Sequence, residues 1–268
     1  MTSPHSVEDK GRVHFFPHGL DFTGAALLLA AGVLSGFINV VAGGGTLLAV
    51  PALIFLGLPE TTANGTVRLG ILAQNIAAIS RYSKAGAIPW EEVRRWVPPV
   101  LCGGLAGAIA GTHLSNDGFR LVFGTTMLVI AVLIAIRPSL PALRRNPDLP
   151  LPAIIPLGGL ALAGFYGGFI QAGSGYLFLG VSVLLLNLPL GRANILKIAF
   201  VTSYTPVALA IFAMEDQVNL QWGLLLAVGQ AAGGWLGAVT ALKRGEGFIR
   251  GVLLVVVFLS ALKLLIDT

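Results

Sequence analysis

Apolar residues run through this chain in long blocks, interrupted by short polar stretches rather than alternating with them. No Asp, Glu, Lys or Arg occurs between Asp21 and Glu60, between Trp96 and Asn116, between Asp148 and Arg192, or between Gln217 and Leu242. A helix needs about 20 apolar residues to cross a hydrocarbon core about 30 Å thick. Each window is long enough for one crossing, and the two longest hold more. Breaks at glycine, proline and charge predict helices over 22–42, 46–57, 64–80, 91–112 and 119–137, then over 153–172, 175–186, 194–213, 221–241 and 248–266. The pattern predicts an all-α polytopic membrane protein with 8–10 transmembrane or re-entrant helices. Its parts are an extracytoplasmic tail (1–21), a first membrane repeat (22–137), a cytoplasmic linker with Arg144 and Arg145 (138–152) and a second membrane repeat (153–268).

Composition sharpens this reading. Of the 268 residues, 55% are hydrophobic and 11% charged, against about 25% charged in a soluble domain. Mean hydropathy is +0.85. A water-soluble fold is excluded, because charge must recur on its surface. A β-barrel is disfavoured, because stretches such as Gly251 to Ala261 are apolar on every side and barrel strands alternate. The single cysteine, Cys102, cannot form a disulfide framework or a thiolate cluster. The polar tail lacks the apolar core of a cleaved signal peptide, so the first helix is expected to act as its own insertion signal. The net charge of +5 does not point to nucleic acid, because the basic residues lie in short loops where topology explains them.

The two sets of helices repeat each other at a constant offset. Ala42-Gly43-Gly44-Gly45 falls on Ala172-Gly173-Ser174-Gly175, Leu58-Pro59 on Leu188-Pro189, and Ala63-Asn64 on Ala193-Asn194. Gly103-Gly104 and Gly107 fall on Gly233-Gly234 and Gly237. Positive charge, however, sits at opposite loops in the two copies. Arg81, Lys84, Arg94 and Arg95 mark 81–95, whose counterpart is the acidic turn Glu215-Asp216. Conversely, 112–120 holds only Arg120, while its counterpart holds Lys243, Arg244 and Arg250. By the positive-inside rule the repeats are expected to be inverted, with an odd number of crossings in each. Five crossings per half satisfy this. So do three crossings and a re-entrant hairpin, which suits 46–57 because it spans only about 18 Å.

Each half also contains a glycine break inside an apolar segment, at Ala42-Gly43-Gly44-Gly45-Thr46 and at Gln171-Ala172-Gly173-Ser174-Gly175. Backbone that leaves a helix within the membrane must be buried in protein or line a cavity. The helix that restarts after the break has free N–H groups and a positive dipole end, suited to an anion. Small residues also pave ordinary helix–helix contacts, but the recurrence at equivalent repeat positions favours a ligand role. Asn39 and Gln171 precede the breaks, and Thr46 and Ser174 offer hydroxyls. Asn64 is followed one turn later by Arg68, and Asn194 by Lys197. An intramembrane base is costly and usually functional. Alternatively, these two snorkel to the interface. Gln74, Asn75 and Tyr204 extend the polar path, or form helix–helix hydrogen bonds.

The twelve acidic residues lie in loops or near helix ends. The sequence offers no transition-metal cluster, no Walker A loop and no catalytic triad at membrane depth. An enzyme, a metal site, a cofactor and a divalent-cation carrier are therefore not expected.

In Gly36-Phe37-Ile38-Asn39, Ala42-Gly43-Gly44-Gly45, Val50-Pro51-Ala52-Leu53, Ala63-Asn64-Gly65-Thr66 and Tyr82-Ser83-Lys84-Ala85-Gly86, the chain resembles the TauE/SafE family. Arg192-Ala193-Asn194-Ile195-Leu196-Lys197 and the glycine-rich Gly229 to Gly237 continue the likeness. The second break departs from the first in carrying Ser174 where the first has Gly44, so the two sites need not bind alike. The resemblance implies a multi-pass transporter of sulfite, sulfonates or related sulfur anions in a bacterial plasma membrane. It implies site residues Asn39, Gly43, Gly44, Gly45, Asn64, Arg68, Gly173, Gly175, Asn194 and Lys197. The resulting expectation is a secondary transporter for small anions working by alternating access. The alternative is a non-transporting assembly partner or anion sensor. The expected partners are the anion and the lipid bilayer, not nucleic acid, and a homodimer is compatible with this reading.

Overall fold

A computed structural model of the protein describes residues 22–135 and 151–266, so the tail, most of the linker and the last two residues lie outside the described residues. The helices are α1 (Phe22–Ala42), α2 (Thr46–Phe55), α3 (Glu60–Lys84), α4 (Trp90–Thr112), α5 (Asn116–Ala135), α6 (Ile154–Phe169), α7 (Ser174–Leu184), α8 (Leu190–Met214) and α9 (Leu220–Ile266). Gly245, at φ 67°, divides α9, so its two parts correspond to the last two predicted helices. Three stretches, α1, α8 and Leu220–Gly245, are long and apolar enough to cross a membrane. With 10 and 11 residues, α2 and α7 reach only about 15 Å and are half-length segments.

Three boundaries differ from the sequence expectation for identifiable reasons. Helices α3 and α8 start four residues before Asn64 and Asn194, directly after Pro59 and Pro189, whose ψ is 147° in both. Asparagine is a weak helix former and reads as a start, but proline ahead of the first turn loses no helical N–H bond. Helix α6 stops at Phe169, not at the glycine break, because Ile170 turns extended (φ −126°, ψ 111°).

The halves interlock. Gly36 of α1 packs against the backbone of Gln230 in α9, and the equivalent Gly164 of α6 packs against Val100 in α4. Gly233 and Gly103 close the same contacts from the other side, against Val33 and Ala161. A Cβ at any of these glycines would overlap facing backbone, so these helices approach through small residues, as helices without a hydrophobic driving force in lipid commonly do.

The contacts also order the ends of the helices. Near the start of α3, Asn64 donates to the Phe169 carbonyl at the end of α6, and Gln217, just before α9, donates to the Thr112 carbonyl at the end of α4. At the opposite level, Glu92 at the start of α4 pairs with Arg192 at the start of α8. Thus α3 starts at the level where α4 and α6 end, whereas its counterpart α8 starts where α4 starts.

The outer surface carries large apolar side chains, among them Phe55 (86% exposed), Leu162 (70%) and Val228 (65%). The interior holds Arg68, Lys197, Asn194, Gln74 and Gln230, all 2% exposed or less. Apolar outside and polar within suits a lipid solvent, where polar groups must find partners inside the protein.

Candidate functional site at the paired helix breaks

Each break turns on a glycine in the left-handed region, Gly43 at φ 90° and Gly173 at φ 75°, which side chains rarely adopt. The two breaks meet. A Cβ on Gly43 would lie 2.9 Å from the Gly175 carbonyl carbon, and the Gly173 N–H donates to Thr46 Oγ1 at 3.0 Å. Residues from one half therefore complete the break of the other.

The two intramembrane bases are buried, Arg68 at 0% and Lys197 at 2% exposure, so neither snorkels. Each grips the helix that ends before a break in the opposite half. Arg68 Nη1 donates to the Gly167 carbonyl (3.2 Å) and to Gln171 Oε1 (3.0 Å), and Nη2 donates to the Gly168 carbonyl (2.6 Å). Its guanidinium carbon lies 4.3 Å from the centre of the Phe212 ring, a favourable cation–π geometry. Lys197 Nζ donates to the carbonyls of Asn39 (2.8 Å) and Val40 (3.4 Å) and to Asn194 Oδ1 (2.8 Å). The expectation from the sequence puts both bases beside the N-termini that follow the breaks. The structure puts them at the C-terminal carbonyls that precede the breaks, the negative ends of α6 and α1.

Among the described residues neither base touches a carboxylate. The ion pairs among the described residues join Arg120 to Glu60 and Asp117, and Arg192 to Glu92. Carbonyl oxygens, not acids, face both bases among the described residues. Among the described residues no cluster of three or more His, Cys, Asp or Glu is placed to hold a metal ion.

Around the second break most side-chain hydrogen bonds find partners, although Arg68 Nε and the Gly175 N–H have none among the described residues. Gln171 accepts from Arg68, its amide nitrogen reaches Tyr204 (3.2 Å) and Ser174 (3.4 Å), and its N–H meets Asn64 Oδ1 at 3.3 Å. The structure thus brings Asn64, Arg68, Gln171, Gly173, Ser174, Tyr204 and Thr46 into one network. Asn39, Asn194 and Lys197 form another beside the first break.

Sequence reasoning missed Ser35, Gln230 and Tyr176. Ser35 donates to the Gly45 carbonyl at 2.8 Å and accepts from Gln230 at 2.9 Å. Gln230 lies deep within a charge-free window, and that position was the available signal. Gln74 and Asn75 are buried, joined only by a long contact of 3.5 Å. An apolar cavity of about 300 Å³ lies away from both breaks, lined by Ile79, Tyr82, Val93, Ile195 and Ala199 among others.

An apolar belt, a polar interior and helices of spanning length define a polytopic α-helical membrane protein. The chain belongs to the TauE/SafE family, whose model, described as sulfite exporter TauE/SafE, matches residues 28–264. Similar curated proteins include the probable membrane transporter protein ORF9 of Sinorhizobium sp, 27% identical over 90% of this chain and 92% of that protein. The probable membrane transporter protein YfcA of Escherichia coli K12 is 27% identical over 90% of each chain. A probable membrane transporter protein of Haemophilus influenzae is 26% identical over 90% of this chain and 94% of its own. No solved structure matches the chain significantly.

Proposed function

We propose that this protein is a secondary transporter of small anions, with sulfite, sulfonates or related sulfur oxyanions as substrates, working by alternating access in a bacterial plasma membrane. The observation that carries this reading is the pair of buried bases that have no carboxylate partner among the described residues. A charge at membrane depth costs about 3 kcal/mol even on insertion scales. Two bases that pair with no acid among the described residues favour an anion over a cation at the protein centre. The opposed courses of α3 and α8 support inverted halves, and inverted halves are the usual basis of rocking around a midplane site. The family description and the names of the relatives agree with transport, and the reading needs no catalytic step.

One observation favours the other reading, a non-transporting assembly partner or anion sensor: all three Lys197 donors are already taken within the fold. Proteoliposomes decide between them. Vesicles containing the protein and preloaded with unlabelled sulfite should accumulate labelled sulfite by exchange, with competition from sulfonates and none from alkali cations. Correctly inserted protein that exchanges no anion contradicts transport.

A further inference from the structure

The two breaks are equivalent in the repeat but not in their hydrogen bonding. At the second break, the Gly173 N–H is answered by Thr46, the Ser174 N–H by the Gln171 carbonyl, and both Gln171 and Ser174 have partners. At the first break the Gly44 N–H has no partner among the described residues, unlike that of its counterpart Ser174, while the N–H groups of Gly45 and its counterpart Gly175 are both unpartnered. Tyr176 occupies the position in α7 that Thr46 occupies in α2. Its side chain runs against Gly44, where a Cβ would overlap the hydroxyl, yet that enclosed hydroxyl bonds to nothing. Elsewhere in the interior the oxygens of Gln74 and Gln230 and the amide nitrogen of Asn75 are buried and unpartnered among the described residues, as is Arg68 Nε at the second break. The three amide side chains are at least nine-tenths buried. Gln230 is tied to the break through Ser35, which holds the Gly45 carbonyl. Its counterpart in the other half is Val100, and that of Ser35 is apolar too, Ala163.

Buried polar groups without partners are rare in native structures, and a concentration of them needs a cause. We propose that the first break alone is the ligand-binding site: the Gly44 and Gly45 amides and the Tyr176 hydroxyl hold the oxygens of an oxyanion, and Gln230, with Gln74, accepts a hydrogen-bond donor carried by the same solute. The second break is then a structural joint closed by Arg68 and Gln171. This deepens the transport reading and rests on it. It follows that Tyr176 and Gln230 determine specificity, and that removing their unpartnered atoms leaves the unliganded fold as stable as before or more so.

The test compares uptake of 2-hydroxyethanesulfonate with that of ethanesulfonate, which lacks the donor, in proteoliposomes of the wild type, Tyr176→Phe and Gln230→Met. Melting in detergent is followed for each. The wild type is expected to take up the hydroxylated sulfonate up to about tenfold faster, the effect of one neutral hydrogen bond. Gln230→Met should erase that preference, and Tyr176→Phe should slow both solutes about tenfold. Tyr176→Phe should melt no lower than the wild type, and Gln230→Met, which also gives up the bond to Ser35, should lose no more than one hydrogen bond is worth. Gln171→Leu, at the second break, should instead lower the melting temperature, because it severs a satisfied network. A wild type that moves no sulfonate or sulfite overturns the transport reading and the site with it. A wild type that transports, with Tyr176→Phe and Gln230→Met unchanged in rate and preference, overturns the site alone. So does a loss of melting temperature in Tyr176→Phe or Gln230→Met that accounts for the lost uptake.

Discussion

Arg68→Met is expected to destabilise the protein by about 3 kcal/mol and to abolish transport. The side chain makes three charge-assisted hydrogen bonds to the end of α6 and its following loop, and bonds to charged groups contribute about 1.5–3 kcal/mol each. Methionine fills the volume but leaves the Gly167 and Gly168 carbonyls without that partner inside the protein. Part of the loss is offset, because a buried cation with no counter-ion is itself costly. Arg68→Lys should recover only part of the stability: a point charge cannot reproduce the planar fork or its stacking on Phe212. Thermal melting of the purified variants in detergent measures the effect. An unchanged midpoint for Arg68→Met means that the guanidinium does not hold the second break together.

Lys197→Met is expected to reduce anion exchange at least as severely, with a smaller loss of stability, on the order of 1–3 kcal/mol. The difference follows from the acceptors. Asn194 also donates to the Val40 carbonyl at 3.0 Å, so the end of α1 keeps one cross-brace when the lysine is gone. At the end of α6, Asn64 holds the Phe169 carbonyl and the Gln171 N–H but neither of the glycine carbonyls that Arg68 holds. Removing Lys197 also removes one of the two buried bases at the centre. Exchange of labelled sulfite by melting-competent Lys197→Met tests this, and a rate equal to that of the wild type contradicts a role for its charge.

Much of this architecture is visible in the residues. Charge-free windows locate the spans, because lipid tolerates no unpaired charge. The matched glycine breaks, Leu-Pro turns and Asn-plus-base motifs reveal the duplication, because each copy must solve the same packing problem. What the sequence leaves hidden is direction across space. Arg68 and Lys197 lie near helix starts, which left snorkelling to the interface open. They reach instead to the negative ends of helices in the opposite half, a contact made by interlocking that no local spacing encodes. The exchange of Thr46 for Tyr176 at equivalent positions was equally silent, because its meaning depends on which break each side chain faces.

Current across a supported membrane of proteoliposomes tests the central claim most directly, since it reports the sign of the charge that moves. On a jump in sulfite or sulfonate concentration at constant sodium, the wild type should give a current of the sign of anion entry, and the Arg68→Met and Lys197→Met proteins should give none. A current that follows the sodium gradient and ignores the anion, or an anion current undiminished in both variants, would contradict a protein whose buried cations serve a negatively charged solute.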